Sequence, residues 1–361
     1  MRKLLLGAVI MLLASAAAAQ DIKDEKPRTD MRVHRSNVHS LAFDPTGRFL
    51  ISVGSEADIK YWELDTEKVI RTFAPRVKTL DASRIGGGKQ ERYIEAVAFS
   101  PDGTRIAEIT AESASAGSLR QWTTSTGAEA ILDEAVKNPR AVAYSPDGKI
   151  LASNSRETDR ADHQIVLRDV ETGNVIRTLR DDRLAATILA FSPDGKWLAS
   201  AGATRLLLWD TATWKPVHNI AGYKKAVQSI AFSPDSKTVA GASSDDLVRL
   251  WRVSDGKMIR EWTLAQEGVN SIAWSPSGKT IASAGADKSV KLWNPDTGRR
   301  VKTLWAHADK VLSVAFSADG KTLASGGKDG VICLWDMDEA AHKDQKDDEK
   351  KDDKKRPPKK P

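Results

Sequence analysis

Cysteine is almost missing from this chain: Cys333 is the only one in 361 residues. A lone thiol cannot form an internal disulfide, so packing has to hold the fold together even in an oxidising compartment. Cysteine-spaced metal motifs are excluded with it, and no Gly-rich phosphate loop or nucleophile elbow is found elsewhere. The Gly86-Gly-Gly88 triplet lacks the strand-to-helix context that such a loop needs. Charge of one sign is also lacking, despite a formal net charge of +6. Arg2 and Lys3 supply two of those charges, and residues 343–361 hold nine Lys or Arg against six Asp or Glu. The middle of the chain is therefore close to neutral, and its basic pI does not argue for nucleic acid as a partner.

The N-terminus has the layout of a sorting signal. Met1-Arg2-Lys3 is a short positive region, Leu4 to Leu13 is apolar apart from Gly7 and Ala8, and Ala14 to Ala19 is rich in small residues. Residues 1–19 are expected to be a signal peptide cleaved after Ala19. The apolar core falls short of the ~20 residues that span a bilayer. A periplasmic or secreted protein with no transmembrane span after cleavage is therefore expected, an uncleaved membrane anchor being the alternative. At the other end, the charged tail 339–361 has little to bury and is expected to be disordered.

What the sequence has in abundance is repetition. Seven times an aromatic residue leads into a turn: Phe43-Asp-Pro, Phe99-Ser-Pro-Asp-Gly, Tyr144-Ser-Pro-Asp-Gly, Phe191-Ser-Pro-Asp-Gly, Phe232-Ser-Pro-Asp, Trp274-Ser-Pro-Ser-Gly and Phe316-Ser-Ala-Asp-Gly. Segments ending at Trp62, Trp122, Arg168, Trp209, Trp251, Trp293 and Trp335 follow in turn. Within a unit, Val311-Leu-Ser-Val-Ala-Phe316 alternates with period two and makes a first strand. Pro then presets φ and Gly accepts a positive φ, so the chain turns back. Thr322-Leu-Ala-Ser, Val331-Ile-Cys-Leu-Trp335 and runs such as Val175-Ile-Arg-Thr-Leu179 supply the other three strands. One such sheet exposes both faces, whereas seven packed around an axis bury them. The fold class is all-β, a seven-bladed β-propeller of four-stranded antiparallel blades spanning 33–338.

These residues resemble the WD-repeat (WD40) family over about Val33 to Asp336, and the secretory N-terminus suggests a bacterial-type secreted member. Asp169, Asp210 and Asp336 keep that family's acidic residue after the Trp position, while Glu63, Thr123, Arg252 and Asn294 replace it. Arg168 stands where Trp is usual, which suggests a less standard third blade. The seventh unit ends without a fourth strand, and the resemblance implies that the N-terminal segment 20–32 supplies one, near Lys26 to Val33. The resemblance also implies a hydrogen-bonded brace of His307, Ser325, Asp329 and Trp335, echoed by His34, Ser52 and Trp62. A search for hydrolases would read His307, Ser325 and Asp329 as catalytic, but the repetition favours a structural role.

Loop lengths point to a binding face. Turns after the first and third strands share one side of the disc and are tight. All length variation falls on the other side, at Val77 to Arg92, Ala111 to Leu119 and Arg156 to Gln164. Candidate partner-binding residues there are Arg84, Lys89, Arg92, Glu112, Arg156, Asp159, Arg160, Asp162 and His163. His163, beside Asp159 and Asp162, also offers a metal reading on an inserted loop, but no metal, cofactor or catalytic residue is assigned. The expected protein is a monomeric, non-enzymatic interaction scaffold outside the cytoplasm, binding other proteins and not nucleic acid through the long-loop face of blades 1–3. The competing readings are a propeller enzyme, such as a metal-dependent hydrolase or lactonase, and a glycan or small-ligand binder using Trp305 and Trp214. Fold alone does not choose among them.

Overall fold

The computed structural model describes residues 26–337 except 33, 36, 57, 75–92, 112–116, 158–161, 181–185 and 265; at 156, 157 and 162 only the backbone is described. The signal-peptide and tail expectations lie outside the described residues. Among them there are twenty-eight strands and no helix, so none is long and apolar enough to cross a membrane. The strands form seven four-stranded antiparallel sheets, giving the seven-bladed propeller that the repeats predict. Blade 1 runs Val38–Phe43, Phe49–Gly54, Ile59–Glu63 and Lys68–Phe73, from the axis outward.

The core lies between blades, because each sheet is apolar on both faces. One cluster joins Ile332 and Leu334 of blade 7 to Val38, Leu50 and Trp62 of blade 1. At the axial end of the tight-turn face the blades also touch through their turns. A Cβ placed on Gly103 would sit 3.1 Å from Pro45 of the preceding blade, and one on Gly195 3.4 Å from Pro146. Both glycines hold φ near +70°, a conformation that side chains disfavour. Each turn is pinned internally, as where Ser145 donates to the Asp147 carboxylate at 2.6 Å. That bond holds the Asp147 carboxyl below its usual range.

Blade 7 consists of Val311–Phe316, Thr322–Gly327, Val331–Asp336 and, on its outer edge, Thr29–Arg32. Met31 pairs with Ile332 and is buried among Ile332, Leu334 and Leu64. Pro27 precedes the strand, where its missing N–H costs no ladder bond. The joint is reinforced by Arg28, whose guanidinium lies 2.9 Å from Asp336, and by Thr29, which donates to Glu67 of blade 1 at 2.9 Å.

Two of the expected loops are shorter than the sequence implied. Blade 3 continues through Ile150–Glu157 and resumes at Asp162–Asp169, so Arg156, Asp162 and His163 belong to an extended hairpin, Arg156 pairing with His163. In blade 2 the strands Arg105–Ala111 and Gly117–Thr123 take up both ends of the segment read as Ala111 to Leu119. Polar residues hid these extensions. Beyond the apolar core, alternation no longer marks a strand, yet laddering still satisfies the backbone groups.

Candidate interaction face

The brace that the resemblance implies is assembled in blades 1 and 7. The Ser325 hydroxyl accepts from Trp335 Nε1 at 3.0 Å and lies 2.8 Å from His307 Nε2, whose Nδ1 is 3.1 Å from Asp329. In blade 1, Trp62 donates to Ser52 at 2.8 Å, Ser52 lies 2.7 Å from His34, and Glu56 takes the acidic place at 3.1 Å. Ser325 is fully buried. Its hydroxyl is engaged on both sides and offers no approach for a substrate. Each link is satisfied, which is what makes a buried polar chain stabilising.

The other blades keep or replace parts of this brace. Trp209 and Trp293 donate to Ser200 and Ser283, both at 2.8 Å, and Ser283 in turn bonds Gln266. In blade 2 Glu108 replaces the serine, accepting from Trp122 at 2.7 Å and from Thr110. Burial pushes the Glu108 carboxyl up against the pull of Thr110, Trp122 and Arg120. Blade 5 has Gly241 there, and Tyr223 spans the gap to accept from Trp251 at 2.9 Å. Arg168 of blade 3 bonds Ser153 at 3.2 Å and forms an ion pair with Asp133 of blade 2, clamping two blades together. Cys333 is buried, and burial pushes its thiol up to about 12. It is therefore unreactive at neutral pH.

Acid should weaken the brace in blade 1. Burial, the largest effect on His34, holds its ring below the ordinary 6.5 despite Glu56. Burial raises Glu56, but the Arg35 N–H and the His34 ring outweigh it and the net direction is down. A depressed folded pKa contributes stability above the unfolded value that is lost as pH falls through the folded one. For His34 that window opens below 6.5. The urea midpoint should therefore be lower at pH 5.5 than at pH 7.5, with a smaller difference in His34→Gln. An equal pH difference in the variant would count against this assignment.

At the centre of the long-loop face lies a cavity of about 750 Å³, bordered by residues of the inner strands of blades 1 to 5 and of the connections beside them. A register shift recurs four residues before the inner-strand aromatic, between Val38 and Ser40, Ile94 and Ala96, and Val227 and Ser229. Such bulges re-aim a side chain, and the residues inside them, His39, Glu95 and Gln228, line the cavity. His39 Nε2 bonds the Ile94 carbonyl across the blade gap, and Arg140 pairs with Glu95 at 2.9 Å. Sequence reading missed this ring, although a polar residue four before the aromatic in six of the seven units, Leu312 being the exception, is its visible trace.

Of the loop residues singled out from sequence, Arg84, Lys89, Arg92, Glu112, Asp159 and Arg160 lie outside the described residues. His163 is half-buried in its strand. Trp305 is 48% exposed on the rim of blade 6. Trp214 instead packs edge-on against Phe191 at 6.5 Å, in a left-handed turn position with φ of 56°. One possible metal cluster occurs among the described residues, His34, Glu56 and Asp58, with ligand atoms within 4.8 Å of one another. Both His34 nitrogens serve the brace, and Lys60 Nζ sits 3.0 Å from Asp58. The cluster is therefore neutralised by its own partners.

Residues 185–349 match the family described as "IFT122 first beta-propeller", and residues 25–63 match the "WD domain, G-beta repeat". Both matches support a WD-repeat propeller family. Similar proteins include Nuclear distribution protein PAC1 of Arthroderma benhamiae and of Trichophyton verrucosum, each 31% identical over 195 residues, or 52% of this chain and 39% of the relative. WD repeat-containing protein SL1-17 of Schistosoma mansoni is 30% identical over 171 residues, or 40% of this chain and 54% of that one. The chain thus spans only about two fifths of the PAC1 relatives' length. These sources are eukaryotic and lend no support to a bacterial-type member.

Proposed function

We propose that this chain is a non-enzymatic protein-interaction scaffold acting outside the cytoplasm, with its partner seated on the long-loop face of blades 1–3. The observation that carries this reading is the cavity of about 750 Å³ at the centre of that face. It is concave, it is bordered by bulged polar side chains from several rigid sheets, and the strand ends that flank the variable connections of blades 1–3 lie on the same side. Binding residues concentrate on loops held by such scaffolds. The Met1-Arg2-Lys3 start, the apolar run and the small residues ending at Ala19 support export to the periplasm or beyond. Sequencing the N-terminus of the mature protein should give Gln20 first.

The binding face is tested by replacing residues 75–92, 112–116 and 158–161 with minimal turns. Capture of a protein partner from cell-envelope extract should be lost while the melting profile stays that of the parent. Undiminished capture by the replaced protein would overturn this choice of face.

A further inference from the structure

Among the described residues of the long-loop face, acids and bases are used differently. Glu56 is bonded to His34 and to the Arg35 N–H, and Asp58 to Lys60. Asp245 is paired with Arg249, Asp287 with Lys291 and Asp329 with His307. These five carboxylates are only 7% to 20% exposed. Asp246 caps the Gln266 N–H and Asp309 the Lys310 N–H. Glu267 is the only exposed acid among the described turns of this face.

The cations are the reverse. Lys137, Lys224, Lys225, Lys288, Lys310 and Lys328 are all exposed, as is Arg35. None of these side chains is paired with a carboxylate among the described residues. They stand in the connections after second strands and between blades, encircling the cavity. The opposite face differs, with exposed acids in most of its turns, among them Asp65, Asp102, Asp147, Glu171, Asp255 and Asp296. Among the described residues, a disc that is nearly neutral in sum therefore presents one basic side, because the described acids of that side are consumed by turns and by buried cations. Unpaired exposed charge, not formal count, sets the field that an approaching molecule meets.

We infer that the partner of the long-loop face is an acidic protein segment, rich in Asp and Glu, that crosses the ring of lysines and enters the central cavity. The inference rests on the proposal that this face binds protein. The concave mouth favours a single chain segment over a nucleic-acid duplex, which is convex and cannot enter it. The lysines are also spread around a ring and do not line up in a stripe that would track a phosphate backbone.

Three probes test it with the full mature chain: a labelled Glu/Asp-rich peptide, a DNA duplex, and vesicles of phosphatidylglycerol and phosphatidylcholine. The peptide should bind, and added salt should weaken it. Changing Lys224, Lys225, Lys310 and Lys328 to Glu should slow its association by about tenfold or more. Changing Lys149, Lys237 and Lys279 to Glu on the opposite face should leave it unaltered, and both variants should melt as the parent does. No peptide binding, equal loss in the two variants, or tighter binding of duplex or vesicles would overturn the inference. If envelope-partner capture depends on the replaced loops but not on the four lysines, the charge inference alone falls. If it depends on neither, the binding-face proposal falls as well.

Discussion

Deleting residues 26–32 should lower the melting temperature by roughly 4–10 °C and leave a protein prone to self-association. Met31 is buried against Ile332, Leu334 and Leu64, and losing such a side chain from a core costs about 2–5 kcal/mol. For a domain of this size each kcal/mol corresponds to roughly 2 °C. The deletion also removes the pairing of Thr29 to Arg32 with Leu334 to Val331. It uncovers the edge of an apolar strand, Val331-Ile-Cys-Leu-Trp335, and bare edges of that kind recruit other chains. Met31→Ala should reproduce part of the loss without the self-association, because the backbone ladder survives. A synthetic peptide of residues 26–33, added to the deleted protein, should restore part of the melting temperature. An unchanged melting temperature on deletion would show that the seventh blade does not need its N-terminal strand.

Gly241→Ala should destabilise by about 2–5 kcal/mol, far beyond a usual glycine-to-alanine exchange. Gly241 occupies the brace position that Ser52 and Ser325 hold elsewhere, and a Cβ there would overlap the Tyr223 hydroxyl and come within 3.0 Å of its Cζ. Displacing Tyr223 costs overpacking strain and also breaks the bond from Trp251 Nε1, stranding a buried donor. The ring has little freedom to yield, since the Arg249 guanidinium lies 5.0 Å from its centroid. Tyr223→His combined with Gly241→Ser rebuilds the arrangement of blades 1 and 7. Asp245, four residues after position 241, stands where Glu56 and Asp329 stand in those blades. The double variant should be more stable than Gly241→Ala by at least 1 kcal/mol. Chemical denaturation of the two proteins checks this, and a double variant as unstable as the alanine variant would refute the idea that Tyr223 and Gly241 are one compensated pair.

The ring of seven was legible because its signals are local. Alternation in Val311 to Phe316, the Ser-Pro-Asp-Gly turns and the tryptophans at fixed distance all act within a few residues. The site was legible only in outline. The side of the disc that carries the variable connections follows from chain order in a meander. The bulges that aim His39, Glu95 and Gln228 at the cavity depend on how each inner strand meets its neighbour. Arg168 marks a less standard third blade in sequence, yet it is a clamp, because its ion-pair partner, Asp133, lies 35 residues away in another blade. Likewise Glu108 looks like an ordinary charge in sequence until Trp122 and Thr110 are found bonded to it.

The sequence by itself determined that the protein is all-β and built of seven wedges, since period-two alternation and turn chemistry are properties of neighbouring residues. Only the tertiary structure decided which charges remain available. Asp245 and Lys224 are equally charged in the sequence, but Asp245 is committed to Arg249 while Lys224 stands in solvent. Pairing and burial are set by distances across sheets and between blades, and no local spacing encodes them.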